Sequence, residues 1–209
     1  MVSQIKVDSV LESSSGNGVT VDGVLIKDGL VDGKDVSTLA PAGLVKLAST
    51  DFSNVSSVIF DELFTSTYKN YAYKIYHEAA DNNTEFRFLL RTGGASGSDD
   101  TTAQYNCVNV ISFPNSSASW ASKSIYGLDV PFFTMNGGMA NNKPYHSSLD
   151  MFSPQLAQDT TWSGTAGYQG GHVFVIGGAF ELDTQFTGIK FYQSSGNITG
   201  SIQIYGYAT

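Results

Sequence analysis

Between residues 19 and 35 the apolar positions come in very short runs, each closed by Asp-Gly. Val19-Thr20-Val21 precedes Asp22-Gly23, Val24-Leu25-Ile26-Lys27 precedes Asp28-Gly29, and Leu30-Val31 precedes Asp32-Gly33. Glycine accepts positive φ and aspartate bonds back to its own backbone, so each pair predicts a chain reversal. After Thr50 the pattern lengthens. Tyr71-Ala72-Tyr73-Lys74-Ile75-Tyr76 alternates, which puts Tyr71, Tyr73 and Ile75 on one face of a strand. Glu85-Phe86-Arg87-Phe88-Leu89-Leu90-Arg91 alternates as well, with Phe86, Phe88 and Leu90 inward and both arginines outward. Further strands are predicted at 56–60, 103–111, 122–128, 172–181, 187–193 and 198–207, the last two joined by a hairpin loop at Ser194-Ser195-Gly196-Asn197. Residues 44–50 read as a short connecting strand or a single helical turn, and 149–159, which contains Pro154, as a loop. No window of a dozen residues keeps a helical period without Gly, Pro or Asn. The expected fold is all-β: a short stem followed by a jelly-roll-like β-sandwich.

The two parts differ in composition. Residues 1–40 hold no Phe, Tyr or Trp, whereas aromatics are dense from Phe52 onward. The expected boundary is near residue 48, with a stem over 1–48 and a head over 49–209, and Ala40-Pro41-Ala42-Gly43 reads as a joint. About 40 residues with only aliphatic side chains cannot build a core alone. The stem is therefore either a disordered leader or is completed by copies of itself. The Val and Ile alternation favours an intertwined stem in which each short strand pairs with a neighbouring chain.

Charged residues make up 14 % of the chain, against about 25 % in ordinary soluble proteins, and the polarity comes instead from Ser, Thr, Asn, Gln and Gly. The net charge of −8 disfavours nucleic acid and anionic lipid as partners. No apolar stretch reaches the roughly 20 residues of a membrane helix, and the opening residues do not read as a secretory signal. The single cysteine, Cys107, lies in a strand-like run and reads as a small buried hydrophobe.

Enzymatic motifs are weak, and the expectation is a non-enzymatic protein without metal or cofactor. Gly94-Ala95-Ser96-Gly97-Ser98 lacks the last glycine of a nucleophile elbow. His77, His146 and His172 match no metal spacing and read as surface or hydrogen-bonded strand residues. Asp99-Asp100 reads as a turn rather than a cation loop. What remains is aromatic and amide chemistry, which suits saccharides: rings stack on sugar faces and amides bond hydroxyls. The stretch 112–170 supplies the candidate ligand-binding residues Trp120, Tyr126, Tyr145, His146, Trp162, Tyr168 and Gln169. Trp120 and Trp162 also read as core or intersubunit residues.

The run from Ser13 to Gly29 resembles a repeat of virion fibre proteins of tailed bacteriophages, especially marine and cyanobacterial ones. Val58-Ile59-Phe60-Asp61-Glu62-Leu63-Phe64 through Tyr71 resembles the opening of the β-sandwich that often follows it, and Phe86 to Gly94 and Ile198 to Tyr205 fit the same pattern. The resemblance implies a virion structural protein: a homotrimeric fibre or spike with an intertwined stem and a globular head, adhering to the host surface. The chain is short for a tail fibre and has no long adaptor. That favours a head fibre or decoration protein over a short tail fibre, with residues 1–15 anchoring it to another virion protein. A host-surface glycan is the expected ligand. The alternative is a monomeric carbohydrate-binding module with a disordered leader.

Overall fold

The computed structural model describes four short strands before residue 36, and residues 43–208 apart from 81–84, 115–119, 131–132, 135–143 and 169–171. Side chains are described from Gly43 onward, but not at 79–84, 111–143 or 168–172. The chain forms two compact units, Met1–Pro41 and Ala42–Thr209.

In the first unit β1 (Val19–Val21), β2 (Val24–Lys27), β3 (Leu30–Val31) and β4 (Lys34–Asp35) form an antiparallel meander. Val21 pairs with Val24, Lys27 with Leu30 and Val31 with Lys34, so only the Asp-Gly dipeptides separate successive strands. These dipeptides themselves lie outside the described residues. The described pairing is within the chain, as a two-residue Asp-Gly link between antiparallel strands allows.

The second unit begins with β5 (Leu44–Val55), β6 (Ser57–Phe60), β7 (Asn70–Ala80) and β8 (Phe86–Thr92). After a 3-10 turn at Gly94–Ser96 come β9 (Ser98–Asp99), β10 (Tyr105–Pro114), β11 (Trp120–Val130) and β12 (Phe133–Thr134). The chain closes with β13 (Tyr145–Phe152), β14 (Thr160–Tyr168), β15 (His172–Phe180), β16 (Gly188–Gln193) and β17 (Ile198–Tyr207). One sheet has eight strands in the order β11-β10-β15-β14-β13-β7-β17-β5, and the other runs β12-β8-β16-β6 with β9 added on β8.

Number β5, β6, β7, β8, β12, β13, β16 and β17 as first to eighth. Their orders are then first-eighth-third-sixth in one sheet and second-seventh-fourth-fifth in the other, which is the jelly-roll arrangement. The β10–β11 and β14–β15 hairpins are insertions that widen the first sheet.

The structure extends or corrects the sequence reading at three places. Residues 44–50 are strand, the first of the two alternatives, and form the start of a longer edge strand; the compact units divide inside the 40–43 joint. Residues 149–152 are strand, and only 153–159 form the connection. Residues 160–168 are the strand β14, whose Ser, Gly and Thr content hid it in the sequence.

The core lies between the sheets. Tyr71, Tyr73 and Ile75 are buried on β7, and Phe86, Phe88 and Leu90 on β8, as their alternation predicts. Phe86 stacks on Phe191 with centroids 6.1 Å apart, and Tyr73 and Phe88 meet Phe191 edge-on. Cys107 is buried. Two core tyrosines also pin loops by their hydroxyls. Tyr71 accepts from the Thr65 N–H at 2.9 Å and donates to the Tyr68 carbonyl at 3.2 Å. Tyr105 accepts from the Leu90 N–H at 2.9 Å and donates to the Asp100 carbonyl at 3.0 Å. Burial pushes both phenols above their ordinary range.

Candidate functional site

In an antiparallel sheet, register partners share a face. His146 pairs with Tyr76 and with Gly167, Gly167 with Val173, and Tyr76 with Ser201. The next row of the same face places Thr165, Ser148, Lys74 and Gln203 side by side. Tyr71, Tyr73 and Ile75 of β7 point to the core, so Lys74 and Tyr76 between and beyond them face outward.

These two rows line a groove of about 550 Å³ on the outer face of the eight-stranded sheet. Gly167 contributes no side chain to its row, which opens the floor between His146 and Val173. Tyr76 is 45 % exposed and is the aromatic residue of the lining. Lys74 Nζ donates to Ser148 Oγ at 2.6 Å, which fixes the ammonium over the groove. Thr165, Ser201 and Gln203 complete the polar wall. A second groove of about 470 Å³ adjoins the first, sharing Tyr76 and Ser201, and there Asp51 and Glu78 supply carboxylates. Beyond Val173 the same face turns aliphatic through exposed Val108, Val110 and Val175.

This arrangement can recognise a polyhydroxylated ligand. The Tyr76 ring offers a flat apolar face, and ammonium, hydroxyl and amide groups around it can donate to and accept from hydroxyls.

The sequence-derived candidates separate. His146 is exposed and lines the groove. Tyr145 and Trp162 are buried in the core, so neither presents a ring to a ligand from outside. Trp162 meets Phe88 edge-on with centroids 5.2 Å apart, which is the core reading of that residue. Trp120 and Tyr126 lie on β11 and Tyr168 at the end of β14, with side chains outside the described set, and Gln169 lies outside the described residues altogether.

The residues missed are Lys74, Tyr76, Ser148, Thr165, Ser201 and Gln203. The signal for them was present in β7: once Tyr71, Tyr73 and Ile75 go inward, Tyr76 becomes a large aromatic on the water-facing side.

His77 corrects another expectation. It is fully buried, its two ring nitrogens have no hydrogen-bond partner among the described residues, and it meets Phe86 edge-on at 5.4 Å. Burial lowers its pKa to about 4. Asp99 is engaged by Arg91 and Lys190, and Asp100 accepts from the Thr102 N–H at 3.0 Å, which accounts for both as structural residues.

Compared with known proteins, the chain matches no family model and no curated protein sequence.

Proposed function

We propose that this chain is a virion adhesion protein, a fibre or spike, whose β-sandwich holds a host-surface saccharide in the groove around Tyr76. The observation that carries the adhesive reading is the groove itself: one exposed aromatic ring in a wall of hydroxyl, amide and ammonium groups, on a rigid sheet face. Sites built on strands hold such groups in fixed geometry, so little ordering cost falls on binding. The virion reading rests on the resemblance of residues 13–29 and of the strand segments to phage fibre proteins, and on a first unit separate from the sandwich. In it, residues 1–15 anchor the chain to another virion protein and the assembled state is a homotrimer.

The test is binding of the purified chain to polysaccharide from candidate host cells, followed by titration calorimetry. Tyr76→Ala weakens binding by about tenfold or more, equivalent to about 1.4 kcal/mol of stacking. Unchanged affinity in that variant removes the groove from the reading. A reducing-end assay on the same mixture stays flat for a binder and rises for a depolymerase.

The second reading, a monomeric carbohydrate-binding module, draws on the first unit: β1–β4 pair within one chain and need no second copy for their ladder. Native mass separates the two, at three times 22.3 kDa for the fibre and one times that mass for the module.

A further inference from the structure

We propose that the saccharide the groove takes is an acidic one, carrying a carboxylate that sits at Lys74 while its sugar ring lies on Tyr76. The inference rests on the saccharide reading above and narrows it.

Charge is the first argument. The chain carries 19 acidic and 11 basic side chains, so an arbitrary stretch of its surface is acidic. The groove reverses that balance: its lining holds Lys74 and no Asp or Glu. The described carboxylates of this face lie outside the groove: Asp51 and Glu78 are in the neighbouring groove on the far side of Tyr76, and Asp150, one row beyond Ser148, accepts from the Tyr207 hydroxyl at 2.6 Å. An anionic ligand is therefore attracted to one side of the ring and repelled from the other, which fixes its direction along the face.

Lys74 supplies the second argument. Arg87, Arg91 and Lys190 are each satisfied by a carboxylate of the protein. Lys74 instead donates to a hydroxyl, Ser148 Oγ at 2.6 Å, and has no ion pair among the described residues. One of its three N–H donors is used to position the ammonium and two remain for a ligand. A charge-assisted bond from such a donor is roughly twice as strong as a neutral one.

Spacing is the third. Lys74 and Tyr76 are two residues apart on one face of β7, roughly 7 Å along the strand. That distance matches one hexose ring stacked on the tyrosine with its exocyclic substituent over the ammonium. Ser148 and Gln203 flank Lys74 in the same row, and Gln203 can hold the second carboxylate oxygen or an adjacent hydroxyl.

The experiment uses the full chain and a panel of uronate-bearing and sialylated oligosaccharides, each beside its carboxyl-reduced neutral form. Affinities are measured by calorimetry at low and high salt. The wild type binds at least one acidic member about tenfold tighter than its reduced form, and the preference shrinks as salt rises. Lys74→Gln, which keeps a donor for Ser148, equalises the pair by weakening the acidic form about tenfold more than the reduced one. Tyr76→Ala weakens both. Equal binding of acidic and reduced forms by the wild type, or an undiminished preference in Lys74→Gln, overturns the carboxylate assignment and leaves the saccharide reading standing. Failure of every member to bind overturns both.

Discussion

Trp162 on β14 is the register partner of Gly178 on β15, and its indole occupies the space a side chain at 178 would fill. A Cβ added there would stand 2.6 Å from Nε1 and inside contact distance of the Asn106 carbonyl. The glycine is thus what admits a tryptophan to the core at this point of the sheet. Gly178→Ala forces either the indole or β10 to shift, and overpacking of that kind costs about 1–3 kcal/mol. A lowered urea midpoint together with a changed tryptophan emission spectrum is the expected result. An unchanged midpoint means that the sheet absorbs a methyl group at no cost.

Arg91 lies on the outer side of β8, as its alternation predicts, yet its side chain is only 8 % exposed. The loop after β8 folds back over it. Its Nε donates to Asp61 Oδ1 at 2.8 Å, and its two terminal nitrogens reach Asp99 Oδ1 and the Gly97 carbonyl. Lys190 holds the other oxygen of Asp99 at 2.6 Å. One guanidinium therefore ties β8 to the β6 terminus and to the 93–99 turn. Arg91→Leu leaves Asp61 without its partner and lowers stability by about 3 kcal/mol. Arg91→Lys recovers only part of that, because an ammonium cannot span both carboxylates with a planar fork. Chemical denaturation of the two variants checks the ranking.

His77 makes the sandwich acid-sensitive. Its folded pKa of about 4 lies below the ordinary 6.5, so the unfolded chain takes up its proton first as pH falls. The stability associated with neutral His77 is complete above pH 6.5. It declines through the window down to about 4 and is lost below it, a total of about 3 kcal/mol. Among the described residues, the imidazole meets the Phe86 ring, and the register partners of His77 are Tyr145 and Gly200, none of which can compensate a positive charge at these pH values. His77→Leu keeps an apolar group of similar size and removes the titration. Urea unfolding at pH 7.5, 5.5 and 4 should therefore show a wild-type decline that the variant lacks. Parallel declines mean that the imidazole finds a proton acceptor.

The alternation in residues 71–76 and 85–91 made the two central strands legible, because each has one apolar and one polar face and every second residue declares the core. Strands β13 and β14 were not legible for the same physical reason in reverse. Ser147 and Ser148, like Ser163, Gly164 and Thr165, give a strand no hydrophobic contrast, and their inward Tyr145, Leu149, Trp162 and Ala166 looked like isolated residues in a loop. The groove suffered from that loss. Its lining comes from register across β15, β14, β13, β7 and β17, residues scattered from Lys74 to Gln203, and no local motif encodes a row across five strands. Searching the aromatic loops for ligand chemistry found His146 but took Tyr145 and Trp162, which the pleat turns inward.

The position of the unit boundary gives a truncation test. The compact units divide at Pro41, and β5 begins at Leu44, pairing with β17 from Leu44–Tyr207 to Val55–Ile198. Removing residues 1–41 leaves this ladder whole, so the sandwich should keep its thermal midpoint within a few degrees. Removing residues 1–48 instead deletes the partners of Ile204, Tyr205, Gly206 and Tyr207, and takes away Leu47 and Ala48, which pack on the core. The loss of Leu47 alone predicts about 2 kcal/mol, and β17 is left with a bare apolar edge open to other chains. The longer truncation should therefore melt lower and aggregate, while the shorter one stays soluble. Native mass of the shorter form then isolates the role of the first unit. If the full chain has the mass of three, a fall to one in the shorter form assigns trimerisation to residues 1–41, whereas an unchanged mass assigns the contacts to the sandwich.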